Sequence, residues 1–308
     1  MSALDRLPAL ATAGVGSLPF ARPAAAARHA VSAYELPFCP QLPRLDGDMI
    51  SEWLGDDPGR CGWASDRDRQ LPAAWDDFVH ELTAHPPEHR VAKLQVTGPV
   101  TLATALERAS GRPGQGAEVA ELAREIAVWL AANVAEQIAG LAELGLDVLL
   151  VVDEPGLAHS GLRDPGPWDP LRAGAAAAWG LHVCGTVPWR LVAEIEPDLI
   201  SYDVARYGIA PEARPVLAQV AERGGRVAWG AIDPVAPGGE RTATACVAGA
   251  MEVIGAERSL ITPTCGTGRL SIEREHAVAA AISRLASSLR GDADLEGQLG
   301  RAHRARAG

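Results

Sequence analysis

Basic charge is what this chain has least of: 28 lysines and arginines face 39 acidic residues, leaving a net charge of -11 and a pI near 5.2. A nucleic-acid backbone demands a clustered basic face, and this composition offers none. Long apolar runs are missing too. Alanine-rich stretches such as AGAAAAW fall far short of the roughly 20 apolar residues that a membrane span needs, so no membrane partner is expected. The N-terminus lacks a charged start followed by a continuous apolar run, so no secretory signal is expected and the cytoplasm is the default compartment. Cysteines number five, odd and irregularly spaced, which fits a reducing compartment better than a disulfide framework. Cys39, Cys61 and Cys246 are read as core or surface thiols. Lys93 is the one lysine against 27 arginines, so Schiff-base chemistry would have to use it or be excluded. No GxGxxG follows the first apolar run, and GTGRL after Cys265 is too short for a phosphate loop, which leaves a dinucleotide fold unsupported.

What the chain does have is one alternation repeated several times. A short apolar run leads into a Gly- or Pro-rich turn with polar residues, then into an Ala/Leu/Glu/Arg-rich stretch. That order predicts parallel strands linked by helices. Strands are expected near residues 12, 94, 150, 183, 200, 229 and 262, and an eighth is expected between 30 and 80. Helices are expected over 117–144, 188–196, 211–223, 240–256 and 272–290. The fold class is therefore α/β, as a (β/α)8 TIM barrel. Ser17, Thr97, Asp153, His182 with Cys184, Asp203, Asp233 and Cys265 fall at the C-terminal ends of seven strands, the face where such barrels build their sites. Residues 1–291 are read as one catalytic domain, with a Pro/Gly-rich excursion at about 35–90 that is either a surface loop or a lid. Residues 292–308 are expected to be a mobile tail.

Three of those strand ends carry metal-type ligands. His182 and Cys184 are two apart in LHVCG, so on a strand both point to one face. Cys265 ends TPTCG and Asp203 ends LISYD. One imidazole, two thiols and a carboxylate make a four-ligand set suited to zinc, and the thiols disfavour magnesium or calcium. Taken singly, each cysteine reads first as a small buried hydrophobe and His182 as a core histidine; their common place at strand ends is what favours a metal site.

Through GVGSLP, VTGPVTL, VVDEPGL, LHVCG, LISYDVAR, GAIDP and TPTCG, in that order, the chain resembles the catalytic barrel of cobalamin-independent methionine synthase. That barrel belongs to a superfamily shared with uroporphyrinogen decarboxylase. The resemblance implies zinc held by His182, Cys184 and Cys265, with Asp203 at the family's glutamate position. It implies that homocysteine binds the metal as a thiolate and attacks a methyl group, since coordination deprotonates a thiol whose pKa is otherwise about 8.5. It further implies that Val15, Gly16 and Ser17, through their backbone, and Asp153 hold the amino-acid part. Asp153 and Asp233 are the catalytic candidates. The family tryptophan that stacks folate is replaced by Ala105, and the acidic residue after the DEP segment by His159. The acidic homocysteine ligand aligns with Pro43, with Asp46 or Asp48 as substitutes. The second, N-terminal barrel of the family enzyme has no room in 308 residues. The expected activity is methylation of a thiol, with methyl-folate or a methyl-corrinoid protein as donor. Two other readings stand beside it, a lyase-type barrel of the superfamily and a non-catalytic barrel that binds zinc or a small thiol.

Overall fold

The computed structural model describes residues 2–55, 71–111, 116–175, 177–236 and 240–306, with side chains described outside 240–242 and 292–306. Seven strands form one sheet: β1 (Ala11–Thr12), β2 (Val91–Thr97), β3 (Asp147–Asp153), β4 (Ala178–Val183), β5 (Leu199–Asp203), β6 (Arg226–Ile232) and β7 (Ser259–Pro263). All pairings are parallel, in the order β1-β7-β6-β5-β4-β3-β2, and the sheet curls as a partial barrel. Each strand expected from the apolar runs is present.

The strands are buried on both faces, as parallel strands must be when helices cover one side. Alternate side chains divide between two cores. Leu150, Val152, Leu181, Ile200, Tyr202, Trp229 and Ile261 point outward into the layer beneath the helices. Leu149, Val151, Ala178, Leu199, Ala228 and Leu260 point inward, where Ala3, Leu4 and Leu7 of the N-terminal turn plug the lower end. The inner rows turn polar towards the C-terminal end: Leu149 and Val151 lead to Asp153, and Leu199 leads through Ser201 to Asp203. This gradient puts chemistry on top of a dry floor.

Strand order leaves β1 and β2 at opposite edges, and residues 36–41 run between them. Leu36 N–H donates to Thr12 O at 2.9 Å, Cys39 N–H to Lys93 O at 3.1 Å, and Lys93 N–H to Pro37 O at 2.8 Å. Only isolated parallel bridges form there, Ala13 with Leu36, Phe38 with Lys93 and Ser17 with Gln41. Pro37 and Pro40 have no N–H to donate, so this stretch bridges the gap without a continuous ladder. The eighth strand expected between 30 and 80 is thus present only as these bridges.

The helices are α1 (Pro23–Ser32), α2 (Ser51–Leu54), α3 (Trp75–Ala84), α4 (Pro99–Ala109), α5 (Ala117–Glu143), α6 (Asp169–Gly174), α7 (Trp189–Ile195), α8 (Val204–Tyr207), α9 (Ala213–Glu222), α10 (Glu240–Ile254) and α11 (Ile272–Arg306). Proline at the first position starts α1 and α4, where its missing N–H costs nothing. In α5 the buried Ala123, Ala127, Leu130, Val134, Ile138 and Leu141 recur at three- and four-residue steps, the stripe that docks a helix on a sheet. The backbone of α11 continues through the segment expected to be a tail, to Arg306. Residues 56–70 of the excursion, Cys61 among them, lie outside the described residues. Among the described residues, no helix is long and apolar enough to cross a membrane.

Candidate functional site

A cavity of about 510 Å³ opens at the C-terminal ends of the strands, within the roughly 300–1,000 Å³ usual for small-molecule sites. Most of the sequence candidates line it: Val15, Ser17, Asp153, His182, Cys184, Asp233 and Cys265. Gly16 and Asp203 are not on its described walls. Asp203 is the N-cap of α8, where its Oδ1 accepts from Arg206 N–H at 2.8 Å.

Two loops meet on one side of the cavity. Thr267 N–H donates to Ser17 O at 3.0 Å, and Thr267 Oγ1 donates to the buried Glu275 at 2.5 Å. Glycine makes this approach possible. A Cβ on Gly266 would sit 2.1 Å from Ser17 Oγ, and one on Gly268 would sit 2.6 Å from Pro43 Cγ. The loop after β7 that carries Cys265 therefore lies directly on the loop after β1.

His182 Nδ1 lies 2.8 Å from Ser201 Oγ. Its Nε2 is buried and has no partner. Burial, reinforced by the Lys93 ammonium, pulls its pKa down to about 3, so the ring is neutral. Cys184 and Cys265 share a hydrogen bond. That bond is the main cause of the Cys265 pKa falling to about 7, and of the Cys184 thiol being raised, with burial adding to the latter. Of the two sulfurs Cys265 is thus the better thiolate. Among the described residues, no three His, Cys, Asp or Glu side chains are gathered as a metal-holding group. The donor set itself fits zinc: a neutral imidazole with an orphaned buried nitrogen, and two thiols of which one ionises near neutrality.

The floor of the cavity is acidic. Asp153 is 7% exposed with Oδ1 unpartnered; burial lifts its pKa to about 7 against the pull of the Lys93 ammonium. Glu52 also lines the wall, with Oε2 accepting from Gln41 Nε2 at 2.8 Å. Burial, then the Asp46 and Asp153 carboxylates, raise it to about 8. Sequence reading missed Glu52; the one available signal was its position four residues after Asp48, one helical turn on. Asp48 lines the cavity too, but its Oδ1 is occupied by the N–H groups of Ile50 and Ser51 at 3.0 Å. Asp46 is not on the described wall, and its two oxygens accept from Leu42 and Ala73 N–H. Ala105 packs against the core, and His159 is exposed in a short turn after β3.

Glu154, next to Asp153, faces away from this cavity. It is fully buried and accepts from Val100 N–H, Thr101 N–H, Thr101 Oγ1 and Trp168 Nε1, tying the start of α4 to β3.

No protein-family model and no curated protein sequence matches the chain. Solved structures do. Over 92% of its length the chain matches 99% of a B12-independent methionine synthase from Shewanella sp. W3-18-1 in complex with selenomethionine, with a TM-score of 0.65 and 15% identity. It matches 96% of a methyltransferase from Methanosarcina mazei over 92% of its own length, with a TM-score of 0.56 and 17% identity. At these identities the likeness is one of fold: across most of its length the chain resembles cobalamin-independent methionine synthase.

Proposed function

We propose that this chain is a methyltransferase that methylates a small thiol, with L-homocysteine as acceptor and methionine as product, and with methyl-folate or a methyl-corrinoid protein as donor. The observation that carries this reading is that His182, Cys184 and Cys265 line the cavity that Asp153 and Glu52 also line. His182, Cys184 and Cys265 would hold zinc, which when bound supplies the acidity that deprotonates a substrate thiol at neutral pH. Ser201 fixes the His182 ring so that Nε2 is the ligating nitrogen. Asp203 caps α8 through Oδ1, and the fourth position would go to the substrate thiol.

The remaining residues orient the acceptor. Asp153 and Glu52 present carboxyl groups that would ionise against a ligand ammonium, the group that a buried acidic floor selects. The backbone of Val15, Gly16 and Ser17 faces the ligand carboxylate. Fixing both ends of an amino acid leaves its thiol one place to go, and such positioning supplies much of the rate of a displacement reaction. Asp233 also lines the cavity, its Oδ1 accepting from Val235 N–H at 2.8 Å. The Shewanella structure's selenomethionine is a thioether-type amino acid analogue, which agrees with methionine as product. We further propose that residues 36–41 serve as the eighth strand position of a (β/α)8 barrel.

Elemental analysis and a thiol-methylation assay with both donors test this together. One zinc per chain and zinc-dependent conversion of homocysteine to methionine are expected. Cys184→Ser and Cys265→Ser should lose zinc and activity at once, because a neutral alcohol is a poor substitute for a thiolate. A chain that stays metal-free after reconstitution with zinc, or that methylates no thiol from either donor, overturns the reading.

A further inference from the structure

Lys93 is the one lysine of the chain, and it is only 5% exposed, on an inward-facing position of β2 beneath the cavity. An ammonium has three N–H donors and no acceptor. All three are engaged, by Gly14 O at 3.1 Å, by Val15 O, and by Gln95 Oε1 at 3.0 Å. Nζ also lies 5.2 Å from the centre of the Phe38 ring. Gln95 in turn donates to Cys39 O. The segment above is shaped to this support: a Cβ on Gly14 would come 2.4 Å from the Phe38 ring, and one on Gly16 2.8 Å from Gln95 Cγ. The carbonyls of Gly16 and Ser17 are held as well, by Gln41 N–H at 3.1 Å and Thr267 N–H at 3.0 Å.

A lysine so engaged is no nucleophile, because every N–H is tied down and its burial is matched by fixed acceptors. We propose that Lys93 is a positioning residue for the ligand. Its ammonium draws the Gly14 and Val15 carbonyls towards the barrel interior, which sets the orientation of Val15–Ser17 at the cavity wall, and its charge balances Asp153. The inference rests on the reading that this segment and Asp153 hold the substrate amino acid. A buried lysine used only for stability would give a different pattern, since its loss would loosen the strands around it rather than one loop.

Because the chain has a single lysine, protein grown with 13Cε-lysine reports on Lys93 alone. Its signal should shift on saturation with L-homocysteine or L-methionine. In Lys93→Met, hydrogen exchange at Val15–Ser17 should quicken while exchange in β4, β5 and β6 stays as in the wild type. The homocysteine KM should rise about tenfold with kcat within about twofold, the pattern of lost binding contacts to a charged anchor. Lys93→Gln, which keeps two donors, serves where Lys93→Met does not fold. A folded variant with wild-type loop exchange and wild-type KM overturns the proposal, as does a lysine signal unmoved by a saturating ligand. Where the wild type binds neither amino acid, the homocysteine reading fails, and the loop exchange of the variant still decides the clamp.

Discussion

Ser201 Oγ lies 2.8 Å from His182 Nδ1, and the two residues are direct register partners on β5 and β4. This contact fixes the imidazole plane and leaves Nε2 buried with no protein partner. A buried histidine nitrogen with no hydrogen-bond partner is costly. Ser201→Ala should therefore lower zinc affinity about 10- to 100-fold, the usual effect of losing the group that orients a metal-binding histidine. A competition titration against a zinc chelator measures it, and unchanged affinity would remove His182 Nε2 from the proposed ligand set.

Asp203, expected from the sequence as the fourth ligand, caps α8 through its side chain. Asp203→Ala should cost about 1 kcal/mol of stability, the usual value of an N-cap, and leave zinc stoichiometry at one. Urea unfolding beside elemental analysis reads both quantities. Loss of zinc with stability unchanged would place the carboxylate on the metal instead.

Asp153 and Glu52 are expected to act on the substrate and not on the metal. Asp153→Asn and Glu52→Gln should each raise the homocysteine KM by about tenfold or more, since each removes a carboxyl group that would ionise against the substrate ammonium. Zinc content should hold. Calorimetric binding of homocysteine beside 4-mercaptobutanoate, which lacks the amino group, isolates the contact: the variants should bind both compounds equally, whereas the wild type prefers the amine.

Burial of Glu52 and Glu154 makes stability depend on pH in a definite direction. Their folded pKa values, about 8 and about 7, lie above the ordinary carboxylate value of 4.5. The folded state thus holds protons that the unfolded chain has released, and stability falls as pH rises through the folded values. His182 works in the opposite sense, being depressed to about 3, but its contribution is already complete above its ordinary value of about 6.5. Between pH 6.5 and 8 Asp153, raised to about 7, adds to this fall, and Cys265, lowered to about 7, opposes it, so the carboxylate part is read in Cys265→Ser. Stability should decline across that window by on the order of 1–2 kcal/mol, read as a falling urea midpoint. A flat profile would mean that the four donors around Glu154 and the amide of Gln41 beside Glu52 hold both groups ionised throughout.

The strands and the strand-end residues were legible because both follow from local rules. Seven apolar runs followed by turns became β1 to β7, since runs of that length bury both faces only within a parallel sheet. Two-residue alternation was enough to put His182 and Cys184 on one side of β4. The bridging stretch at 36–41 was located only as a broad window, because its prolines break the hydrogen-bond pattern that marks a strand. Glu52 was invisible: a glutamate in a short helix reads as solvent-facing until the chain around it closes. Asp203 illustrates the converse, a residue placed at the right strand end whose side chain turns to the backbone of the next helix.

The amino-acid sequence by itself determined the α/β alternation, the inward rows that change from apolar to polar, and the identity of the imidazole and thiols at their ends. These depend on residue type and on spacing along a strand. Only the tertiary structure decided which of these groups share a cavity, that Cys184 and Cys265 act on one another, that Glu52 joins Asp153 and that Lys93 is tied to two loop carbonyls. Those facts depend on distance and burial between segments remote in the chain, where desolvation and charge set each group's chemistry.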